Sequence, residues 1–305
     1  MQNNRKFAGP YGIVVTPFDS NGEVDVDALQ AQVDRVCRTD VSGVVACGST
    51  GEFSCLSFEE NVRIMDAVSR AVHSGKQVIC GATAGDTCTS LKYLEHMARL
   101  NADGALIAPS YYLPMSDDDV IEYYRQLSNA DLGVDIVAYN IPAFTTGVSL
   151  RAYREILQME GMHGLKNSSG NINEIMHQMD VRDGVRPDFS VLTGSDEAIL
   201  AETLVGCDGS FTACAYLLPE IVLKIYNEDI EIARRAQYGL LRLIRLANQF
   251  TFPYGYKLIG EANGFSFGVS RQLRTREMAT HEGKVLSEMR AIVESLYQET
   301  KAVGA

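Results

Sequence analysis

The sequence predicts an α/β protein, a (β/α)8 TIM barrel with extra C-terminal helices packed on it, and three observations carry that prediction. Short β-rich runs alternate with helical periodicity eight times over residues 1–217. The runs are apolar enough to be buried on both faces, as in a parallel sheet covered by helices. No G-x-G-x-x-G follows the first strand, which weakens an open, doubly wound alternative.

Taken in order, Gly12-Ile13-Val14-Val15 reads as the first strand, and Leu29, Val33 and Val36 mark one face of the helix after it. Val44-Val45-Ala46-Cys47 is the second strand, and a capping box, Ser57-Phe58-Glu59-Glu60, opens its helix. Further strands read at Val78–Cys80, Ala105–Ala108, Asp135–Tyr139, Met162–Lys166, Ser190–Thr193 and Gly209–Phe211. Residues 218–305 read as helices only. No Pro/Gly/Ser linker sets them apart, so 1–217 and 218–305 are expected to form one structural domain. No repeat and no low-complexity segment is present.

The net charge of −12, with no basic patch to offset it, argues against nucleic acid or an anionic membrane as partner. No apolar run approaches the roughly 18 residues of a membrane span, and no apolar region follows the first residues as in a secretory signal. The seven cysteines are odd in number, scattered and without a C-x-x-C pair, which fits a reducing cytoplasm and small core residues.

The stretch G-L-K-N-S-S-G, residues 164–170, places a lysine at the end of an apolar run. Lysine is almost never buried unless something pairs it or uses it. Lys6, Lys76, Lys92, Lys284 and Lys301 read as surface residues, and Lys224 and Lys257 as snorkelling stems on apolar helices. Lys166 fits neither class. Desolvated on a barrel strand, its amine is expected to lose its proton more readily and to attack a carbonyl carbon, forming a Schiff base. A structural lysine paired to a carboxylate remains the other reading.

Barrel sites lie at the C-terminal ends of the strands. Those ends carry Gly48-Ser49-Thr50-Gly51-Glu52, Pro109-Ser110-Tyr111-Tyr112, Tyr139-Asn140-Ile141-Pro142, Lys166-Asn167-Ser168, Gly194-Ser195-Asp196-Glu197 and Asp208-Gly209-Ser210. G-S-T-G-E can cradle a carboxylate with hydroxyls and backbone N–H groups, or it is a plain turn in which Glu52 caps the next element. Tyr139 can relay a proton or merely fill the core. Asp196, Glu197 and Asp208 lie where many barrels bind phosphate; carboxylates would repel a phosphate and accept hydrogen bonds from a polyol. The five histidines show no metal-ligand spacing, so the expected chemistry uses no metal and no cofactor beyond the lysine imine. Gly264-Phe265-Ser266-Phe267-Gly268 matches the G-x-S-x-G elbow of serine hydrolases, with His281 as the remaining base, yet it falls in the helical tail and lacks the strand that motif requires. A non-enzymatic ligand-binding barrel is a further alternative.

G-S-T-G-E, Tyr-Asn-Ile-Pro-Ala at 139–143 and Gly-Leu-Lys at 164–166, in that order and spacing, resemble the class I pyruvate-dependent aldolases of the dihydrodipicolinate synthase/N-acetylneuraminate lyase superfamily. The resemblance runs from Gly12 through the C-terminal helices. It implies that Lys166 forms the imine with a 2-oxo acid and that Ser49 and Thr50, with Gly48, hold the pyruvate carboxylate. Tyr139 would be the acid/base, aided by Ser49 and by Tyr111 from a neighbouring subunit of a homotetramer built from dimers. The synthase branch carries an arginine where this chain has Phe144. The lyase branch is apolar there and has an Asp-Glu pair after strand 7, matched by Asp196-Glu197. Ser210 matches its hydroxyl-binding serine, and Ser168 stands where the lyase has a threonine. Thr145-Thr146 makes the loop before Gly147 one residue longer than in either branch. The resemblance thus implies retro-aldol cleavage of a 2-oxo-3-deoxy sugar acid, with N-acetylneuraminate a candidate, and dihydrodipicolinate synthesis or a dehydratase reaction as the alternative.

Overall fold

The eight apolar runs become strands in the computed structural model, which describes residues 5–73, 75–271 and 276–299. They are β1 (Gly9–Ile13), β2 (Gly43–Ala46), β3 (Gln77–Gly81), β4 (Gly104–Ile107), β5 (Ile136–Asn140), β6 (Met162–Asn167), β7 (Ser190–Thr193) and β8 (Gly209–Thr212). Hydrogen bonding follows chain order and closes on itself, which is the parallel barrel of a (β/α)8 fold. Seven helices alternate with the strands: α1 (Val26–Cys37), α2 (Phe58–Ala71), α3 (Thr87–Leu100), α4 (Asp117–Asn129), α5 (Leu150–Ile156), α6 (Ile172–Val185) and α7 (Ile199–Leu204). After β8 come α8 (Cys214–Leu217), α9 (Pro219–Asn227), α10 (Ile230–Ala247), α11 (Tyr254–Ala262) and α12 (Arg276–Glu299).

The chain divides into two compact units. One comprises Gln77–Phe211 with the segment leading into Gly9, and so holds β3 to β8. Its strands β4, β5 and β7 are buried at every position, as expected of a parallel sheet covered by helices. The register of β5 on β6 skips a residue: Ile136 lies opposite Met162, but Val137 lies opposite Gly164. The extra residue, His163, is a bulge that re-aims the strand beyond it. Past the bulge Tyr139 lies opposite Lys166 and Asn140 opposite Asn167.

The other unit comprises Pro10–Lys76 and the chain from Thr212 onward. There β1 pairs with β2, Gly12 opposite Val44. Helix α1 buries Leu29, Val33 and Val36, the face its periodicity marks, and packs on α2. The Ser57/Glu60 capping box opens α2 with both reciprocal hydrogen bonds in place. Helix α10 packs on α9, α11 and α12.

Two expectations need correction. β1 begins at Gly9 rather than Gly12, because pairing extends it: the Gly9 N–H donates to the Asp208 carbonyl at 2.9 Å. Asp208 therefore precedes β8 instead of closing it, at the end opposite the site. Its carboxylate is buried, paired with Arg5 and, at 2.8 Å, with Arg182, and it accepts from the Val191 N–H at 2.8 Å. Buried and tied in this way before β8, it is a structural anchor rather than a polyol ligand. β8, Gly-Ser-Phe-Thr, has a single apolar side chain, so its limits leave little imprint on the sequence.

Candidate active site

Lys166 is 2% exposed, near the end of β6. Its Nζ lies 4.0 Å from the centroid of the Tyr139 ring, the residue opposite it on β5. That is within the roughly 6 Å over which a ring face attracts a cation. Among the described residues no carboxylate lies within ion-pairing distance of this amine. The carboxylate that the structural alternative requires is therefore not found among the described residues. Gly194, just past β7, makes room for the side chain: a Cβ there would fall 2.5 Å from Lys166 Cε and closer still to Ser168 Oγ. Lys166, Tyr139, Ser168 and Gly194 thus form one cluster. Below Tyr139, the buried Tyr124 hydroxyl donates to the Ile107 carbonyl at 2.7 Å and lies 3.4 Å from the Tyr139 backbone N–H, which steadies β5.

The hydroxyls of Ser168 and Ser210 are buried and have no hydrogen-bond partner among the described residues. Buried polar atoms normally have partners, so each can serve a bound polar group. Ser210 lies within β8, opposite Thr193, rather than after the strand. Of the acidic pair, Asp196 is buried and Glu197 exposed, so the two carboxylates do not share one environment. Phe144 is 53% exposed in the loop after β5.

In the other unit, Gly48 follows β2, and Ser49–Gly51 form a single 3-10 turn. The first N–H groups of such a turn have no partner within it and can receive an anion. Thr50 is buried and Ser49 half-buried. The turn is tightly seated: a Cβ on Gly48 would lie 2.8 Å from Ile13 Cγ2, and Thr16 Oγ1 donates to the Gly51 carbonyl at 2.7 Å. Cys47 and Glu52, on either side, take left-handed backbone, which is uncommon for such residues.

Glu52 does not cap the next element by its side chain. It is buried, and its carboxylate lies 2.5 Å from Lys257 Nζ. Lys257 is 1% exposed on α11 and is no snorkelling surface residue. Burial pushes its amine below the ordinary lysine value, while Glu52 beside it pulls the other way. Its Nζ also lies 4.5 Å from the Phe18 ring centroid. Sequence spacing could not join two residues so far apart in the chain.

Tyr111 is half-buried, whereas its neighbour Tyr112 is 94% exposed at φ +79°, beside Leu113 at 70%. Of the two tyrosines, Tyr112 is the one that projects. The hydrolase alternative falls. G-x-S-x-G follows helix α11 rather than a strand, with Phe265 and Phe267 buried and stacked at 5.9 Å and Gly268 bridged to Phe18. His281 bonds Gln249 at 2.8 Å. Among the described residues, no group of three or more His, Cys, Asp or Glu could hold a metal ion, and no helix is long and apolar enough to cross a membrane. All seven cysteines are free, five of them buried.

A sequence model described as the Dihydrodipicolinate synthetase family matches residues 6–294. The 4-hydroxy-tetrahydrodipicolinate synthase of Methanosarcina barkeri is 29% identical over 292 residues, covering 94% of this chain and 98% of that protein. An uncharacterised DapA-like lyase of Thermococcus kodakarensis is 31% identical, covering 83% of this chain and 88% of its own. Among solved structures, the sialic acid aldolase of Ruminococcus gnavus superposes with a TM-score of 0.87 at 20% identity, over 97% of this chain and 99% of that one.

Proposed function

Because the chain belongs to the dihydrodipicolinate synthetase family, whose members are pyruvate-dependent lyases and aldolases that form a Schiff base on lysine, we propose that Lys166 is its carbonyl nucleophile and a 2-oxo-3-deoxy sugar acid its substrate. The observation that carries the nucleophile is a buried lysine without a carboxylate partner, for which Gly194 leaves space.

In this reading Nζ attacks C2 of the 2-oxo acid, and loss of water gives the imine. Removal of the C4 hydroxyl proton breaks the C3–C4 bond; its electron pair passes to C3 and the imine as an enamine, and an aldehyde leaves. Protonation at C3 and hydrolysis then release pyruvate and free the amine. Tyr139, against Lys166, moves the protons, and Ser49 and Thr50 with the backbone after Gly48 hold the carboxylate. Two things favour a sugar acid. Phe144 offers no guanidinium to an aldehyde bearing its own carboxylate, and the unpartnered hydroxyls of Ser168 and Ser210 suit a polyol. Asp196 and Glu197 would take further hydroxyls. The names of relatives such as the Methanosarcina protein favour dihydrodipicolinate synthesis as the second reading.

We further propose a cytoplasmic homo-oligomer, with the seven free thiols supporting the location and the projecting Tyr112 and Leu113 the assembly. Borohydride reduction in the presence of pyruvate should leave one covalent adduct, mapped by peptide mass to Lys166. An adduct on Lys257, or none, would overturn the assignment. A panel of 2-oxo acids assayed for pyruvate release should show cleavage of a sugar acid, and efficient condensation of pyruvate with aspartate semialdehyde instead would reverse the choice of substrate.

A further inference from the structure

Tyr139 and Lys166 are each followed by an asparagine, and side chains alternate along a strand. Asn140 and Asn167 therefore point to the opposite face of the sheet from the reacting pair, and both are buried. There they meet at one atom. Oε1 of Glu174 accepts from Asn140 Nδ2 at 2.6 Å and from Asn167 Nδ2 at 3.0 Å. A third donor, Gln178 Nε2, reaches the same oxygen at 3.1 Å, and Asn167 Nδ2 also donates to Gln178 Oε1 at 2.9 Å.

Glu174 is the third residue of α6, whose N-cap is Asn171. A glutamate at that position often turns back to cap its own helix. This one reaches across to two strands instead. The network extends one step further: Asn140 Oδ1 accepts from the Val148 N–H at 2.9 Å, which closes the loop 141–147 holding Phe144. A Cβ on Gly147 would come within 3.4 Å of that same Oδ1.

We propose that Glu174 is a positioning residue: by holding Asn140 and Asn167 on one oxygen it fixes the approach of Tyr139 to Lys166 and, through Asn140, the loop that carries Phe144. The proposal rests on Lys166 being the nucleophile. The register pairs Asn140 with Asn167 at the two strand ends, and one backbone bond, from the Ser168 N–H to the Asn140 carbonyl at 2.8 Å, follows it; the shared oxygen adds a second tie between the same ends, through their side chains. Misplacing reacting groups by about 1 Å can cost on the order of a hundredfold in rate, even when the substitution is remote from the chemistry.

The test is the rate at which borohydride traps pyruvate on Lys166 in the full-length protein. E174A should trap about 10- to 100-fold more slowly than wild type, at an unchanged half-saturating pyruvate concentration, because Ser49 and Thr50 are untouched. E174Q keeps an acceptor oxygen and should recover most of the rate. It should also leave the preference among aldehydes in the condensation direction as in wild type, whereas E174A should blur it. A wild-type trapping rate in E174A overturns the proposal. So does an E174Q as slow as E174A, which would make charge rather than placement the cause. If E174A does not fold, N140A and N167A each remove one arm; slowed trapping in both supports the proposal, and wild-type rates in both overturn it. Wild-type protein that traps nothing on Lys166 defeats the nucleophile assignment itself, a distinct result.

Discussion

Among the described residues two lysines are almost completely buried, and they have opposite surroundings. Lys257 faces a carboxylate at 2.5 Å, whereas Lys166 has an aromatic ring at 4.0 Å and space kept open by a glycine. An amine held in place by a charge is tied to that charge; one without a pairing carboxylate is left able to react. Gly194 is the residue that most directly protects this arrangement. In Gly194→Ala the new methyl group would displace the end of the lysine side chain, a flexible group, so the fold should survive. The rate of imine formation should drop by about 10- to 100-fold, the scale of a small misplacement. Stopped-flow trapping with pyruvate, set beside a melting curve, would check both halves; near-wild-type kinetics would mean that Lys166 has room to spare.

At the scale of elements, β6 and the turn after β2 hold the residues to which the proposed chemistry is assigned, and each depends on a feature invisible in its own sequence. The bulge at His163 sets which β6 residues lie opposite which on β5, and so places Lys166 opposite Tyr139. The Ser49–Gly51 turn is followed by Glu52 in a left-handed conformation, and that residue is tied by its buried charge to α11. Removing one partner of such a pair leaves an unpaired buried charge, at a cost of about 3–5 kcal/mol, whereas replacing both by apolar residues of similar volume is often neutral. Lys257→Met should therefore destabilise the protein by about 3–5 kcal/mol in urea unfolding. The double variant Lys257→Met with Glu52→Met should recover most of it. Additive losses in the double variant would show that the pair matters for packing rather than for charge balance.

At the scale of the whole molecule, stability should respond to pH through Glu202 on α7. Burial pushes its carboxyl from the ordinary 4.5 up to about 7, with a hydrogen bond from Thr193 opposing the shift, and Oε2 has no partner among the described residues. Between those two values the folded chain keeps a proton that the unfolded chain has lost, so stability falls as pH rises from 4.5 to about 7 and levels off above it. Glu202→Gln removes that dependence. Its unfolding free energy should gain on wild type as pH is raised through this window, on the order of 1–3 kcal/mol in all, read by urea unfolding at each pH. A difference that is flat with pH would refute the shift. Assembly belongs to the same scale: Tyr112→Ala should weaken self-association in sedimentation velocity, and unchanged association would leave that exposed ring without a role in contacts between subunits.

The sequence by itself determined the alternation of strands and helices, since burial on both faces of a strand and one face of a helix leaves a direct imprint on residue type. Leu29, Val33 and Val36 are buried as their spacing predicts, and the Ser57 capping box forms as written. Lys166 was legible too, because a lysine ending an apolar run contradicts its surroundings. What the tertiary structure alone decided were relations between residues distant in the chain. It gave Lys257 to Glu52, Asp208 to Arg182 and the barrel floor, and Gly194 to Lys166, and it separated Asp196 from Glu197 by burial. It also gave different exposure to Tyr111 and Tyr112, which are identical in type and adjacent in sequence. Hydrophobic patterning is local and additive, so it survives in a string of letters; pairing, register and the space a missing side chain leaves exist only once the chain has closed on itself.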